Sequence, residues 1–294
     1  DDEERAELAA ASAPDKSSGG TLQIEIDRPL VFYRTSPLTK AFWKNKGLAH
    51  FVTGVALFSL AGVLSRSPLD QHPVSLSIRL PSNPPTESDP HVVYPVAVVI
   101  VWLTLNGLWH TFLSLIPQLY DYYTIVIVRE VNLARSIEYG IHLALVVATL
   151  STAIGERGIT TIINICTASF GCSALLLLSE HVLFYSRLLS MSNVRETSFL
   201  EIGVGIVLFF FCFASVWSSV GLRALLTAYH SDNAGILTLN QTLEVNFVIQ
   251  FMCTSSVGLL AALHTVNIIS FQSLEMLFLV AMVGSSTDLV MLIR

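Results

Sequence analysis

Arg135, Glu138 and His142 stand three and four residues apart, so on a helix all three share one face. They lie in an apolar stretch near 131–154, where an ionisable side chain costs ~2.5–3.5 kcal/mol on insertion scales and needs a reason. Two reasons fit this spacing. One is an interhelical ion-pair or hydrogen-bond cluster that fixes packing; the other is a group that handles protons or faces a ligand. His50, His110 and Asp288 are further ionisable residues inside apolar stretches. Glu180, His181, Glu201, Glu244 and Glu275 fall near the ends of such stretches, from which they are expected to reach the membrane interface.

Other chemistries find little footing. There is no His-x-x-x-His, Glu-x-x-His or Cys-x-x-Cys, and Glu138 with His142 supplies only two of the three or four ligands that a metal needs. Cys166, Cys172, Cys212 and Cys253 all sit in apolar stretches, where thiols behave as small apolar groups. No glycine-rich phosphate loop and no serine nucleophile elbow is present, so the reading is of a protein that is not an enzyme. Asn240-Gln241-Thr242 has the glycosylation pattern but abuts an apolar stretch, and we expect it to be unused.

The elements that must hold these residues are membrane spans. Of 294 residues, 52% are hydrophobic and 13% charged, with a mean hydropathy of +0.63. Soluble domains carry about 25% charged residues, so a soluble globular protein is excluded. Seven stretches approach the ~20 residues needed to cross the hydrocarbon layer. They run near 47–64, 91–116, 131–154, 159–185, 199–222, 241–264 and 274–293. The long loop 68–90 is proline-rich, and its alternating Val74-Ser75-Leu76-Ser77-Ile78 predicts a small β element outside the bilayer. Small residues in span five (Gly203, Gly205) and span seven (Gly284-Ser285-Ser286) suit close helix contact.

Residues 1–46 are a different material, an extramembrane tail ahead of the 47–294 membrane domain. Its first twenty residues are acidic and rich in alanine and serine, a composition that orders only when a partner holds it. A net charge of −6 with no basic block speaks against nucleic acid as that partner. Nine Lys and Arg lie near the spans on the amino-terminal side and five on the other. By the positive-inside rule the amino terminus faces the cytosol or an organellar matrix. All four lysines (Lys16, Lys40, Lys44, Lys46) precede the first span.

Span three carries a recognisable pattern. Ala134-Arg135-Ser136-Ile137-Glu138-Tyr139 resembles the heliorhodopsin signature, an Arg followed by a Glu-Tyr pair in the third helix. Gly47-Leu48-Ala49-His50 and Leu108-Trp109-His110 resemble the segments of the first and second helices that bear polar-core histidines. The resemblance spans about 45–294. It implies an all-α, rhodopsin-like bundle of seven transmembrane helices with the inverted, amino-terminus-inside topology that the charge count independently gives. It also implies that Glu138 matches the counterion of a retinal Schiff base, and that His50 and His110 match the nearby proton-accepting network. Leu279-Val280-Ala281-Met282 resembles the segment that ends in the retinal-bearing lysine, and here that position is Met282. With no lysine in any span, a covalent retinal Schiff base cannot form within the membrane.

The expected function is therefore a non-photoactive, non-catalytic, heliorhodopsin-like accessory subunit of a larger membrane complex. Its partners would be other membrane subunits and bound lipids, with no retinal. The sequence begins with Asp and shows no secretory signal, so an organellar assembly, such as a respiratory-chain complex of the mitochondrial inner membrane, is the expected setting. Glu138, Arg135, His50, His110 and His142 are expected to persist as a polar core. The alternative is a receptor that holds a lipid or other small molecule in the former retinal cavity beside Met282, Glu138 and Trp217. A proton-coupled transporter would need polar residues continuing from Glu138 to both surfaces, whereas Leu175-Leu176-Leu177-Leu178 in span four is apolar.

Overall fold

A computed structural model describes residues 37–66, 73–77, 79–80, 86–87, 91–116, 131–190, 198–229, 234–265 and 268–293. The tail segment 1–36 lies outside the described residues. Among the described residues seven helices make up the membrane domain: α1 (Pro37–Leu64), α2 (Pro95–Leu115), α3 (Leu133–Ala153), α4 (Ile159–Ser190), α5 (Ser198–Tyr229), α6 (Ala234–Thr265) and α7 (Phe271–Ile293). Six of them are long and apolar enough to cross a membrane, and α5 has a shorter apolar stretch, Ile206–Gly221, among its described residues. The chain folds as a seven-transmembrane bundle.

Several helices outrun the apolar stretches that announce them. The apolar window of α1 is Gly47–Leu64, but the helix starts at Pro37 and takes in Lys40, Lys44 and Lys46. Hydropathy marks the part that suits lipid, whereas backbone hydrogen bonding continues through charged residues beyond it. The start of α2 is sharper because Pro95, with φ already set for a helix, occupies its first turn. Asn132 caps α3, its side chain accepting a 3.0 Å hydrogen bond from the Arg135 amide. Gly155, at φ +103°, turns the chain from α3 towards α4 in a conformation that side chains resist.

The predicted β element is present. Strand β1 (Val74–Leu76) pairs antiparallel with β4 (His91–Val93), Val74 opposite Val93; β2 (Arg79–Leu80) pairs with β3 (Thr86–Glu87). Ser77 is tied to the α3–α4 turn, donating to the Arg157 carbonyl at 2.9 Å and accepting from the Ile159 amide at 3.0 Å. The first loop is thereby anchored to the far end of α3.

Packing makes α3 the interior helix. Two-thirds of its span (67%) is buried, against 28–39% for the other spanning helices. The outer faces carry exposed Val52, Val101, Leu105, Leu178, Phe211 and Met252, as lipid-facing positions do. Around α3, α1 packs on α2, α4 on α5, and α7 on both α6 and α1. The α1–α2 approach is close because Gly54 and Gly107 face each other: a Cβ on Gly54 would lie 3.0 Å from the Gly107 carbonyl oxygen.

Candidate functional site

The buried face of α3 carries Arg135, Ser136, Glu138, Tyr139 and His142 in successive turns. Helical spacing dictates that they line up; the neighbouring helices decide what each one meets. Arg135 is held between two carboxylates, in ion pairs with Glu180 of α4 and Glu275 of α7. Asn132 reinforces both, its Nδ2 donating to Glu275 Oε2 at 3.0 Å and its backbone N–H donating to Glu180 Oε2 at 3.2 Å. The guanidinium also lies 5.3 Å from the centre of the Phe271 ring.

This corrects the expectation that Glu180 and Glu275 reach the membrane interface. Both are buried (6% and 2% exposed). Position along a span gives depth but not rotation about the helix axis, and both acids turn inwards to Arg135. His181 and Glu244, by contrast, are exposed, and the side chain of Glu201 lies outside the described residues. The expected association of Arg135 with Glu138 is likewise replaced, because the guanidinium is engaged by Glu180 and Glu275.

Glu138 belongs to a second cluster. Its Oε1 accepts from Asn106 Nδ2 at 2.9 Å and lies 3.0 Å from His110 Nε2. His110 Nδ1 is 2.9 Å from His50 Nδ1, and the two imidazoles stack with centres 5.1 Å apart. Donor counting orders this chain. If Glu138 is a carboxylate, His110 must donate from Nε2. A neutral His110 then accepts at Nδ1, so His50 donates from its own Nδ1. The expected trio of His50, His110 and Glu138 is thus brought together across α1, α2 and α3.

His142, one turn beyond Glu138, enters a third group. Trp102 Nε1 donates to His142 Nδ1 at 3.3 Å, which leaves the proton on Nε2 to be donated to Ser285 Oγ at 2.6 Å. Ser285 in turn donates to Gln250 Oε1, while Gln250 Nε2 donates to the Ser285 carbonyl at 2.8 Å. Asp288 is 8% exposed, and its Oδ2 has no hydrogen-bond partner among the described residues. Ser285, read from the sequence as a small packing residue, is here a junction. Asn106, Asn132, Gln250 and Ser285 were missed because neutral polar residues give no charge signal; only their inward facing marks them.

A cavity of about 10 Å³ lies between the first two clusters, lined by Glu275, Arg135, Asn132, Glu138, His110 and His50 among others. That is room for about one water molecule. Met282 is 2% exposed and belongs to the apolar core that also contains Tyr139, Phe213 and Trp217. Trp217 packs edge-on to Phe247 and Phe251, with ring centres 5.1 and 5.6 Å away. Among the described residues no three His, Cys, Asp or Glu side chains are grouped as a metal site requires, and the four cysteines are free thiols.

The heliorhodopsin family model matches residues 40–215, more than half of the chain. The chain belongs to the heliorhodopsin family. The match takes in α1 to α4 and much of α5, and with them His50, His110, Arg135, Glu138 and His142. It ends before α6 and α7, so Gln250, Glu275, Met282, Ser285 and Asp288 lie outside it. The likeness of the Leu279–Met282 segment to the family's lysine-bearing segment therefore rests on the motif. No curated protein matches the chain.

Proposed function

We propose that this heliorhodopsin-family protein has given up retinal photochemistry and serves as a non-catalytic structural subunit of a larger membrane assembly. The observation that carries the reading is the combination of a bundle without lysine after Lys46 and an interior in which Arg135, Glu138, Glu180 and Glu275 are matched by protein groups. A retinal Schiff base needs a lysine amine, and the thioether of the buried Met282 offers none. Residues 47–294 therefore do not fit covalently bound retinal. Arg135 with Glu180 and Glu275, and Glu138 with Asn106 and His110, join α3 to α2, α4 and α7 without a cationic chromophore.

The receptor alternative draws less support. A small-molecule pocket typically has a volume of about 300–1,000 Å³, whereas the cavity at Glu138 has about 10 Å³. Lipids would instead occupy the exposed apolar faces. The assembly we propose is an organellar one, such as a respiratory-chain complex of the mitochondrial inner membrane, with the acidic tail lying on a partner subunit.

The test is purification from native membranes in a mild detergent, followed by density-gradient sedimentation and mass spectrometry. The reading expects the chain to sediment with fixed stoichiometric partners, far above the mass of a 32.2 kDa chain in its micelle. Subcellular fractionation should place that particle in mitochondrial inner membranes. A lone chain free of partners would overturn the subunit assignment, and with tightly bound ligand would establish the receptor instead.

A further inference from the structure

The lipid-facing stripe of α1 continues outwards into two lysines. Leu48, Phe51 and Val55 are exposed and mark that stripe within the span. At about 100° per residue, Lys40 and Lys44 fall on the same side of the helix, within about 80° of those three positions. Lys46 falls elsewhere, on the face that carries His50, Thr53 and Leu57, all of them buried. Because α1 is continuous from Pro37, depth can be counted along it. Lys44 stands about 4 Å and Lys40 about 10 Å outside the start of the apolar window at Gly47. The headgroup layer on each side of a bilayer is about 5–7 Å thick, so Lys44 lies within it and Lys40 just beyond its outer edge.

The helices packed on α1 do not supply the counter-charge among the described residues. No Asp or Glu occurs in the sequence between Asp27 and Asp70, so α1 itself has none. Of the helices that pack on α1, α2 contains no acid. The two acids of α7 are Glu275, which is engaged by Arg135, and Asp288, which lies in the penultimate turn.

We propose that the outer stripe of α1 binds one anionic phospholipid, with its phosphate between Lys40 and Lys44 and an acyl chain along Leu48, Phe51 and Val55. Residues one helical turn apart have Cβ atoms about 5–6 Å from each other, so two ammonium groups on flexible stems converge on a single phosphate. Lysine suits the place because its apolar stem lies against hydrocarbon while the charge reaches outwards. A zwitterionic lipid carries its own cation beside the phosphate, whereas an anionic one takes the full attraction of both lysines. Near an anionic surface each lysine contributes about a fivefold preference. The site needs only a bilayer, so it stands apart from the assembly proposed above.

The test reconstitutes the full chain into phosphatidylcholine–phosphatidylglycerol nanodiscs, re-extracts it in a mild detergent and measures the retained lipids by native mass spectrometry. Wild type should retain phosphatidylglycerol over phosphatidylcholine at least about fivefold above the mixing ratio. The double variant Lys40→Gln with Lys44→Gln should fall to the mixing ratio, and Lys40→Arg with Lys44→Arg should keep the enrichment. Lys46→Gln, on the other face, should leave it unchanged. Inorganic phosphate, which has the charge but no acyl chain, should not displace the lipid. Circular dichroism establishes that each variant is folded. Should the double glutamine variant fail that check, wild type extracted in molar potassium chloride takes its place, and screening should remove the enrichment. Wild-type retention at the mixing ratio would overturn the proposal, as would undiminished enrichment in the folded double glutamine variant or in molar salt. A loss in Lys46→Gln as large as in the double variant would overturn it too, because the preference would then follow positive charge in general. Displacement by inorganic phosphate would show a site for a free anion instead.

Discussion

Replacing Arg135 by methionine isolates the contribution of the buried charge cluster it forms with Glu180 and Glu275. The side chain is 6% exposed and is the only cation that bridges Glu180 and Glu275 among the described residues. Methionine keeps most of the apolar stem but leaves two carboxylates facing each other in a low-dielectric interior. Removing one partner of a buried ion pair costs about 3–5 kcal/mol, chiefly from the uncompensated charge left behind. At about 2–4 °C per kcal/mol for a chain of this size, Tm should fall by about 10 °C. The assay is thermal unfolding of the detergent-purified protein, followed by circular dichroism or by cysteine accessibility, since Cys172 is fully buried. A triple variant, Arg135→Met with Glu180→Gln and Glu275→Gln, removes all the charges together. It should recover most of the lost stability, because neutral replacement of an entire buried ionic group is often near neutral. A single variant that melts within 2 °C of wild type would refute the reasoning. So would a triple variant as unstable as the single one, since the deficit would then come from lost packing against Phe271 and not from unpaired charge.

Other perturbations separate the remaining roles. Glu138→Gln keeps an acceptor oxygen for Asn106 and His110, so the fold should survive with a loss of about 1 kcal/mol; failure to recover folded protein would show that the negative charge is structurally required. Gly54→Ala places a methyl group 2.5 Å from Thr111 Oγ1 and 3.0 Å from the Gly107 carbonyl oxygen. It should cost about 1–3 kcal/mol as α1 is forced off α2, read as a fall in Tm. Met282→Lys purified with all-trans-retinal should acquire a visible absorption band that the wild type lacks. No pigment at all would mean that the aromatic core around Trp217 leaves no room for the polyene.

Much of the fold was legible in order and type because lipid imposes a demanding rule on composition. Only long apolar helices satisfy their backbone hydrogen bonds in hydrocarbon, and all seven stretches became helices. The boundaries were less legible. The helix α1 runs ten residues upstream of its apolar window, a stretch that hydropathy assigned to the tail because it contains lysines. At the site, the alignment of Arg135, Glu138 and His142 followed from spacing alone. Their destinations did not, since spacing allows Arg135 to meet Glu138, one turn away, as readily as Glu275, 140 residues on.

The sequence by itself determined that this is a membrane bundle, which residues of α3 share a face, and that no lysine lies in the membrane to carry retinal. Those are properties of composition and of helical period, and neither depends on what packs against what. Only the tertiary structure decided that Glu180 and Glu275 turn inwards to Arg135 and that His50 and His110 meet at Glu138. It also decided that His142 meets Ser285 and Gln250 from the two last helices. The physical reason is that a helix presents about a hundred degrees of new direction with every residue. Depth in the membrane can therefore be read along the chain, while the partner of a buried polar group depends on how seven helices are rotated against one another.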